Sequence, residues 1–318
     1  MKIHLVTPAK KHSLNGNRTS ALRWADMLRD KGHVVHVDTD YNGEPTDLLI
    51  ALHAWRSAGA IARYRQHYPI QPLIVALGGT DVNGFLKSNP ETTLRSIHAA
   101  DALVCLHDLI AEKLPVDQRQ KLNVIRQSAL PLSMPRQIGS QYFDVCVIGH
   151  LREEKDPFRT ALAARLVPEA SRLRVIHLGK AYDYTWEQRA KQEMANNPRY
   201  YWKGEVAGWQ VRRELVSTQL MVISSNQEGG ANVVSEAIVA GVPIIASDIA
   251  GNRGLLGEEF PGYYPVGDEQ ALANLLHRVE TDPSFLTSLK TYGQRLAPLF
   301  SPEHEASAWA KLLIRLTN

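Results

Sequence analysis

The chain has 318 residues, with 36 Lys and Arg against 33 Asp and Glu, a net charge of +3, and 44% hydrophobic and 22% charged residues. That length accommodates two cores of ordinary domain size. The balanced charge, with no block of Lys and Arg, argues against a dedicated nucleic-acid binder, and no apolar run approaches the roughly 20 residues a membrane-spanning helix needs.

From the N-terminus, short β-branched runs alternate with longer amphipathic ones, the pattern of βαβ units and a parallel sheet. Ile3 to Val6 reads as a strand rather than the core of a signal peptide, because its apolar stretch is short and meets a polar loop at once; a cytoplasmic location is expected. Ala21 to Lys31 reads as a helix closed by Gly32, and Val34 to Val37 and Leu48 to Leu52 as strands. Arg56 to His67 is helical and stops before Pro69. Leu73 to Leu77 is a strand opening into Gly78-Gly79-Thr80-Asp81, and Leu103 to Leu106 and Val124 to Ile125 complete the set. Right-handed crossovers make this a doubly wound sheet.

Ala129 to Pro135 holds two prolines and little periodicity, as expected of a linker. The pattern then restarts with strand Asp144 to Ile148, helix Arg159 to Leu166, strand Leu173 to Leu178, helix Trp186 to Asn196 and a short strand at Tyr200 to Trp202. Helix Gln210 to Ser217, strand Leu220 to Ile223, a helix-like run from Val233 to Ala240 and strand Pro243 to Ala246 follow. Glu269 to Thr281, Pro283 to Ala297 and Pro302 to Leu316 are helical. The expected fold is α/β: two Rossmann-like doubly wound domains, residues 1–135 and 136–300, facing a central cleft. A closing helix, 301–318, is expected to return to the first domain. Cys105 and Cys146 lie in apolar strand-like runs with no CxxC pair or zinc spacing, and read as small buried hydrophobes in a reducing compartment.

Glu228 and Glu236 bracket Gly229-Gly230-Ala231-Asn232 where a strand turns into a helix. Small residues there let backbone N–H groups approach an anion at the positive end of the helix. A helix beginning near Ala231 puts Glu236 more than a turn inside it and leaves Glu228 in the loop. One carboxylate could then hold each end of a ligand with a phosphate between, a geometry suited to a nucleotide sugar.

In the first half, Pro8 to Ser20 is a polar loop in which Gly16 and Asn17 could cradle an anion with Arg18 as counter-charge, or simply cap the helix. His53-Ala-Trp-Arg56 and Gly78-Gly79-Thr80-Asp81 also follow strands, so polar groups gather at one sheet edge. His53 alone reads equally as a capping or core histidine. Asp38-Thr39-Asp40 has the form of a metal-binding DxD, but it follows a strand with no partner ligand in view; no metal and no cofactor are expected.

The segment from Asn226 to Asp248 resembles the nucleotide-sugar motif of the retaining GT-B glycosyltransferases, whose glutamate pair is followed by a glycine-proline turn, here Gly241-Val242-Pro243. The resemblance implies that Glu236 holds the ribose, that Glu228 holds the transferred sugar, and that backbone from Gly229 to Val233 meets phosphate and sugar. Gly149 to Lys155 resembles the family's loop in which an arginine and a lysine clamp the diphosphate. Lys155 falls on the lysine; His150 occupies the arginine position, and Arg152 could take that role. A cation there would neutralise charge on the departing nucleotide.

Further segments narrow the resemblance: Val6 to Ala9, Gly16 to Ala25, Asp47 to Ala58, Ala76 to Asp81 and Gly149 to Pro157 are similar to the selenosugar synthase family of the selenoneine pathway. What this implies is a UDP-sugar donor, UDP-N-acetylglucosamine foremost, selenophosphate as acceptor, and a 1-seleno-sugar, UDP and phosphate as products. A selenium anion needs no general base to attack. It needs a small cationic pocket, which Gly16, Asn17, Arg18, Arg56, Gly79 and Thr80 could furnish, with His53 or Asp81 positioning water for loss of the phosphoryl group. Three other readings compete. One is a glycosyltransferase with a polyol or lipid-linked acceptor, for which Arg56, Arg63 and Arg65 offer only a thin basic face. The others are a non-catalytic nucleotide-sugar sensor and a UDP-sugar epimerase.

Overall fold

The computed structural model describes residues 1–11 and 16–317. Short runs of Ile, Val and Leu become strands and the amphipathic segments between them become helices, in two compact units. The first holds β1 (Lys2–Val6), α1 (Gly16–Asp30), β2 (Val34–Asp38), β3 (Leu48–Leu52), α2 (Ala58–His67) and β4 (Leu73–Ala76). A π-helical turn (Asp81–Phe85), α3 (Leu86–Ser88), α4 (Pro90–Ala99), β5 (Ala102–Cys105) and β6 (Leu122–Val124) follow. The second holds β7 (Phe143–Ile148), α5 (Arg159–Ala164), β8 (Leu173–Leu178), α6 (Tyr184–Asn196), β9 (Tyr200–Trp202), α7 (Gly208–Ser217) and β10 (Leu220–Ile223). It continues with α8 (Asn232–Val239), β11 (Ile244–Ser247), α9 (Ala250–Leu256), β12 (Tyr263–Tyr264), α10 (Glu269–Thr281) and α11 (Pro283–Leu296). The last helix, α12 (Pro302–Thr317), belongs to the first unit.

Each unit carries one six-stranded sheet, ordered β2-β1-β3-β4-β5-β6 and β12-β11-β10-β7-β8-β9, with parallel pairing throughout. Side chains alternate across β3: Leu48, Ile50 and Leu52 join α1 and α12, while Leu49 and Ala51 join Ile61 and Tyr64 of α2. Burial on both faces explains why this strand is apolar at every position. Cys105 and Cys146 are free and buried, and burial pushes both thiols up to about 12.

Beyond the unexpected α3 and β12 and several short 3-10 turns, the structure departs from the sequence reading in four places. First, α1 begins at Gly16, five residues before the expected Ala21; Ser20 Oγ in its opening turns donates to Gly16 O at 2.9 Å and accepts from the distant Gln127 Nε2 at 2.6 Å. Second, α4 was not expected; Asn89-Pro90 opens it, with Pro at the first helical position. Third, α9 is a short helix containing two glycines, a composition that hid it. Fourth, the segment from Ala129 to Pro135 is part of the second unit, not the end of the first. Ala129 N–H bonds Phe300 O at 3.0 Å, and the Arg212 guanidinium holds Leu130 O and Pro131 O.

α12 is tied to the first unit by Glu305, whose side chain is 0% exposed. Glu305 accepts from Arg23 Nε at 3.0 Å and Trp24 Nε1 at 2.7 Å, while Trp309 packs on Trp24 at 4.9 Å between ring centroids. Removing one partner of such a buried ion pair strands the other charge. Glu305→Ala is expected to cost about 3 kcal/mol in urea unfolding, and Glu305→Gln, which keeps an acceptor for Trp24, less. An unchanged urea midpoint in Glu305→Ala would remove this contact from the account of stability.

Candidate functional site

In an open parallel sheet the crevice outside the carboxyl ends of the strands, where chain order reverses, is where ligands bind. In the second unit that point lies between β7 and β10. The loop after β7 carries Gly149 to Lys155; the loop after β10 carries Ser224 to Ala231 and leads into α8. The two are stitched together. Asn226 N–H donates to Glu154 O at 2.9 Å, and Ser224 Oγ lies 3.0 Å from Lys155 O and 2.9 Å from Asp156 O.

Across this seam Lys155 Nζ donates to Glu228 Oε1, which also accepts from Ser225 Oγ at 2.6 Å. At the start of α8 Gly230 has φ +115°, a conformation that favours glycine. Ala231, at the N-cap position, has no polar side chain with which to cap the helix, and the partial positive charge of a helix start favours an anion. The Asn232 side-chain oxygen is buried there without a hydrogen-bond partner. Glu236 lies half-buried in the second turn of α8. The structure therefore gathers Lys155, Glu228 and the Gly229–Val233 backbone at one place, with Glu236 further along the helix.

His150 is not a substitute cation. Its Nδ1 accepts from Lys180 N–H at 3.1 Å, and burial, reinforced by Arg152, lowers its pKa. A neutral ring can donate one hydrogen bond from Nε2 but carries no charge. Arg152, 43% exposed and 3.7 Å from Glu154, remains the cation nearest the arginine position.

Sequence reasoning missed three groups that hold this site. His177, buried within β8, bridges Tyr200 OH at 2.9 Å and Gly149 O at 3.0 Å. A carbonyl can only accept, so Nε2 carries the proton and Tyr200 donates to Nδ1. Ser247 Oγ donates to Ser225 O at 2.6 Å, and Asn252 Nδ2 to Ser247 O at 2.8 Å. Gly251 of α9 sits against the Glu228 backbone: an added Cβ would fall 2.8 Å from Glu228 Cβ and closer still to its carbonyl oxygen.

In the first unit the reversal lies between β1 and β3. Residues 12–15 of the loop after β1 lie outside the described residues. Gly16 and Asn17 open α1, and Arg18, expected as the counter-charge beside them, follows in its first turn. Starting the helix at Gly16 places Arg18 on the inward stripe with Ala21, Ala25 and Leu28, and it is buried. After β3 and β4 the structure joins His53, Thr80 and Asp81. Asp81 Oδ1 meets His53 Nδ1 at 2.6 Å, and His53 Nε2 meets Thr80 Oγ1 at 2.7 Å. Asp81 is 0% exposed and also accepts from the amides of Ala54, Trp55 and Gly78. It is thus placed to orient His53, not to position water. Gly78 must be glycine, since a Cβ would lie 2.9 Å from His53 Cδ2. Arg56 and Thr80 are exposed, Gly79 half-buried. Asp40 of the DxD pairs with Arg63, and Asp38 Oδ2 lies 3.3 Å from His4 Nε2.

Residues 134–296, just over half the chain, match the family described as glycosyl transferases group 1. The chain belongs to this family. Among relatives of this group 1 glycosyl transferase is the putative teichuronic acid biosynthesis glycosyltransferase TuaC of Bacillus subtilis (strain 168), 25% identical over 81% of this chain and 68% of that one. Glycosyltransferase 1 domain-containing protein 1 of Xenopus tropicalis is 22% identical over 93% and 92%. Anabaena HepE in complex with UDP shares the fold at a TM-score of 0.79 and 15% identity, over 99% of this chain and 100% of that one. Sucrose-phosphate synthase of Thermosynechococcus elongatus does so at 0.78 and 17%, over 99% of each. The two six-stranded parallel sheets with flanking helices are the GT-B fold.

Two outcomes follow from the buried supports. Gly251→Ala should displace Glu228 and lower transferase turnover about tenfold or more while circular dichroism stays native, since small misplacements of site residues are costly; full activity would separate Gly251 from the site. Burial drives His177 from 6.5 down to about 4. Its neutral form therefore stabilises the fold fully above 6.5, and this contribution, on the order of 3 kcal/mol, is lost as pH falls from 6.5 through 4. Urea midpoints should show a shallower slope over that window in His177→Gln than in the parent.

Proposed function

We propose that this glycosyl transferase joins a UDP-sugar, UDP-N-acetylglucosamine foremost, to selenophosphate, giving a 1-seleno-sugar, UDP and phosphate. The observation that carries the donor half is the junction of Lys155, Glu228 and the uncapped start of α8 at the reversal point of the second sheet. Diphosphate would lie on the α8 amides with Lys155 and Arg152 beside it, Glu236 would take the ribose, and Glu228 the sugar hydroxyls. HepE, which shares this fold, has been crystallised with UDP and with UDP-glucose, which supports the choice of nucleotide.

The transfer step forms a bond from selenium to the anomeric carbon as the bond from that carbon to the UDP oxygen breaks, the electron pair leaving with UDP. Electrostatic stabilisation of that departing charge is the main demand on the protein. Selenophosphate arrives already anionic, so no base is required for attack. The acceptor assignment rests on the resemblance of the first-half segments, and the exposed Arg56 and Thr80 supply charge and a hydroxyl at that edge. A second reading, transfer to a polyol or lipid-linked hydroxyl, is favoured by the His53–Asp81 pair, since an alcohol needs a positioned base.

Mass spectrometry of reactions containing selenophosphate, thiophosphate or glycerol with several UDP-sugars decides between them. A selenium- or sulfur-linked sugar is expected; a glycoside from glycerol alone would replace the first reading with the second. In calorimetry, Glu236→Ala should weaken UDP binding about tenfold or more, the loss of a charge-assisted hydrogen bond, whereas Arg56→Ala should leave UDP affinity unchanged and raise KM for selenophosphate. Equal effects of both substitutions on UDP affinity would refute this division of roles between the units.

A further inference from the structure

His53 is one of two non-glycine residues with positive φ among the described residues, at +78°. That region costs about 1–3 kcal/mol and persists where the surroundings over-determine it. Here the His53 amide bonds Ala76 O at 2.7 Å, and the ring is clamped between Asp81 and Thr80. The π-helical turn that begins at Asp81 is a second irregularity of the kind found at functional sites.

The protonation of this chain can be deduced. A carboxylate only accepts, so the 2.6 Å contact with Asp81 places a proton on His53 Nδ1. In the neutral ring Nε2 is then a lone pair, and Thr80 Oγ1, 2.7 Å away, donates to it. The Arg56 amide, 3.5 Å from Nδ1, is too distant to compete. Carboxylate, imidazole and hydroxyl therefore stand in the order orienter, base, proton donor. The first two are shut away, His53 3% and Asp81 0% exposed, while Thr80 is open to solvent. Beside them Trp55 and Phe85 stack 4.1 Å apart at 12°, and the exposed Arg56 guanidinium lies 5.9 Å from the Phe85 ring centre. A buried pair serving only the fold has no need to end on an exposed hydroxyl next to a cation.

We propose that Thr80 is a catalytic residue for hydrolysis of the phosphorus–selenium bond, an inference that rests on selenophosphate being the acceptor. Once selenium has taken the sugar, Arg56 holds the phosphoryl oxygens at this edge. Water attacks phosphorus; the oxygen–phosphorus bond forms as the phosphorus–selenium bond breaks, and the electron pair leaves on selenium as a selenolate. The attacking water gives its proton to Thr80 Oγ1 while the Thr80 proton moves to His53 Nε2. Asp81 stabilises the imidazolium, which returns its proton to the departing phosphate.

The test measures phosphate and UDP released by the full-length protein with UDP-N-acetylglucosamine and selenophosphate, in the parent, Thr80→Val and Thr80→Ser. Thr80→Val, close in shape and at an exposed position, should lower the ratio of phosphate to UDP about tenfold or more, as expected for loss of general-base assistance, and a selenium-linked sugar phosphate should accumulate in mass spectra. Thr80→Ser, which keeps the hydroxyl, should restore the ratio. If Thr80→Val keeps the parent ratio, or Thr80→Ser fails to restore it, the relay is overturned and the acceptor assignment stands. If the parent releases no UDP with selenophosphate, both fall together.

Discussion

Parallel pairing is the constraint from which the site follows. Because all strands of each sheet run in one direction, every strand delivers its following loop to the same edge. The loops on either side of the reversal point must diverge, leaving a gap lined by whatever residues come next. In the second unit those are Gly149 to Lys155 and Ser224 to Asn232; in the first, the start of α1 and the turns at His53 and Gly78. Polar chemistry concentrates there because these are the positions at which backbone N–H groups are released from the ladder without being buried.

The two edges use their charges differently. In the second unit Lys155 and Glu228, 20% and 10% exposed, are paired. A pair this sheltered would be worth little to stability once desolvation is counted. Its effect is to hold an ammonium and a carboxylate at set positions beside the start of α8. In the first unit Asp81 is saturated by amides and an imidazole, so its charge is spent on orienting a neighbour.

Much of this was legible in the sequence where the signal was local. Strands such as Leu48–Leu52 and Leu220–Ile223 stand out because burial on both faces demands unbroken apolar runs. The loop from Glu228 to Asn232 stands out because a strand, small residues and a helix follow one another within a dozen positions. What could not be read depended on contacts distant in sequence. Nothing near Gly251 announces that it rests on Glu228, and nothing near His177 announces Gly149 or Tyr200. The burial of Arg18 could not be read for a related reason: its facing follows from α1 starting at Gly16, where Ser20 meets Gln127, 107 positions away. Asp81 looked like a reacting carboxylate until its amide partners were located.

The return of α12 to the first unit makes residues 128–301 a graft spliced into another domain, with the host supplying flanking sequence on both sides. The graft contains a hydrophobic core of its own. Two covalent crossings therefore join the halves where a simple tandem arrangement would have one. Nicking either crossing would leave the pieces connected through the other, so proteolysis at a single junction need not set the inserted half adrift. The same layout offers protein engineers a ready cassette, one that could be exchanged while the host domain keeps both of its own segments.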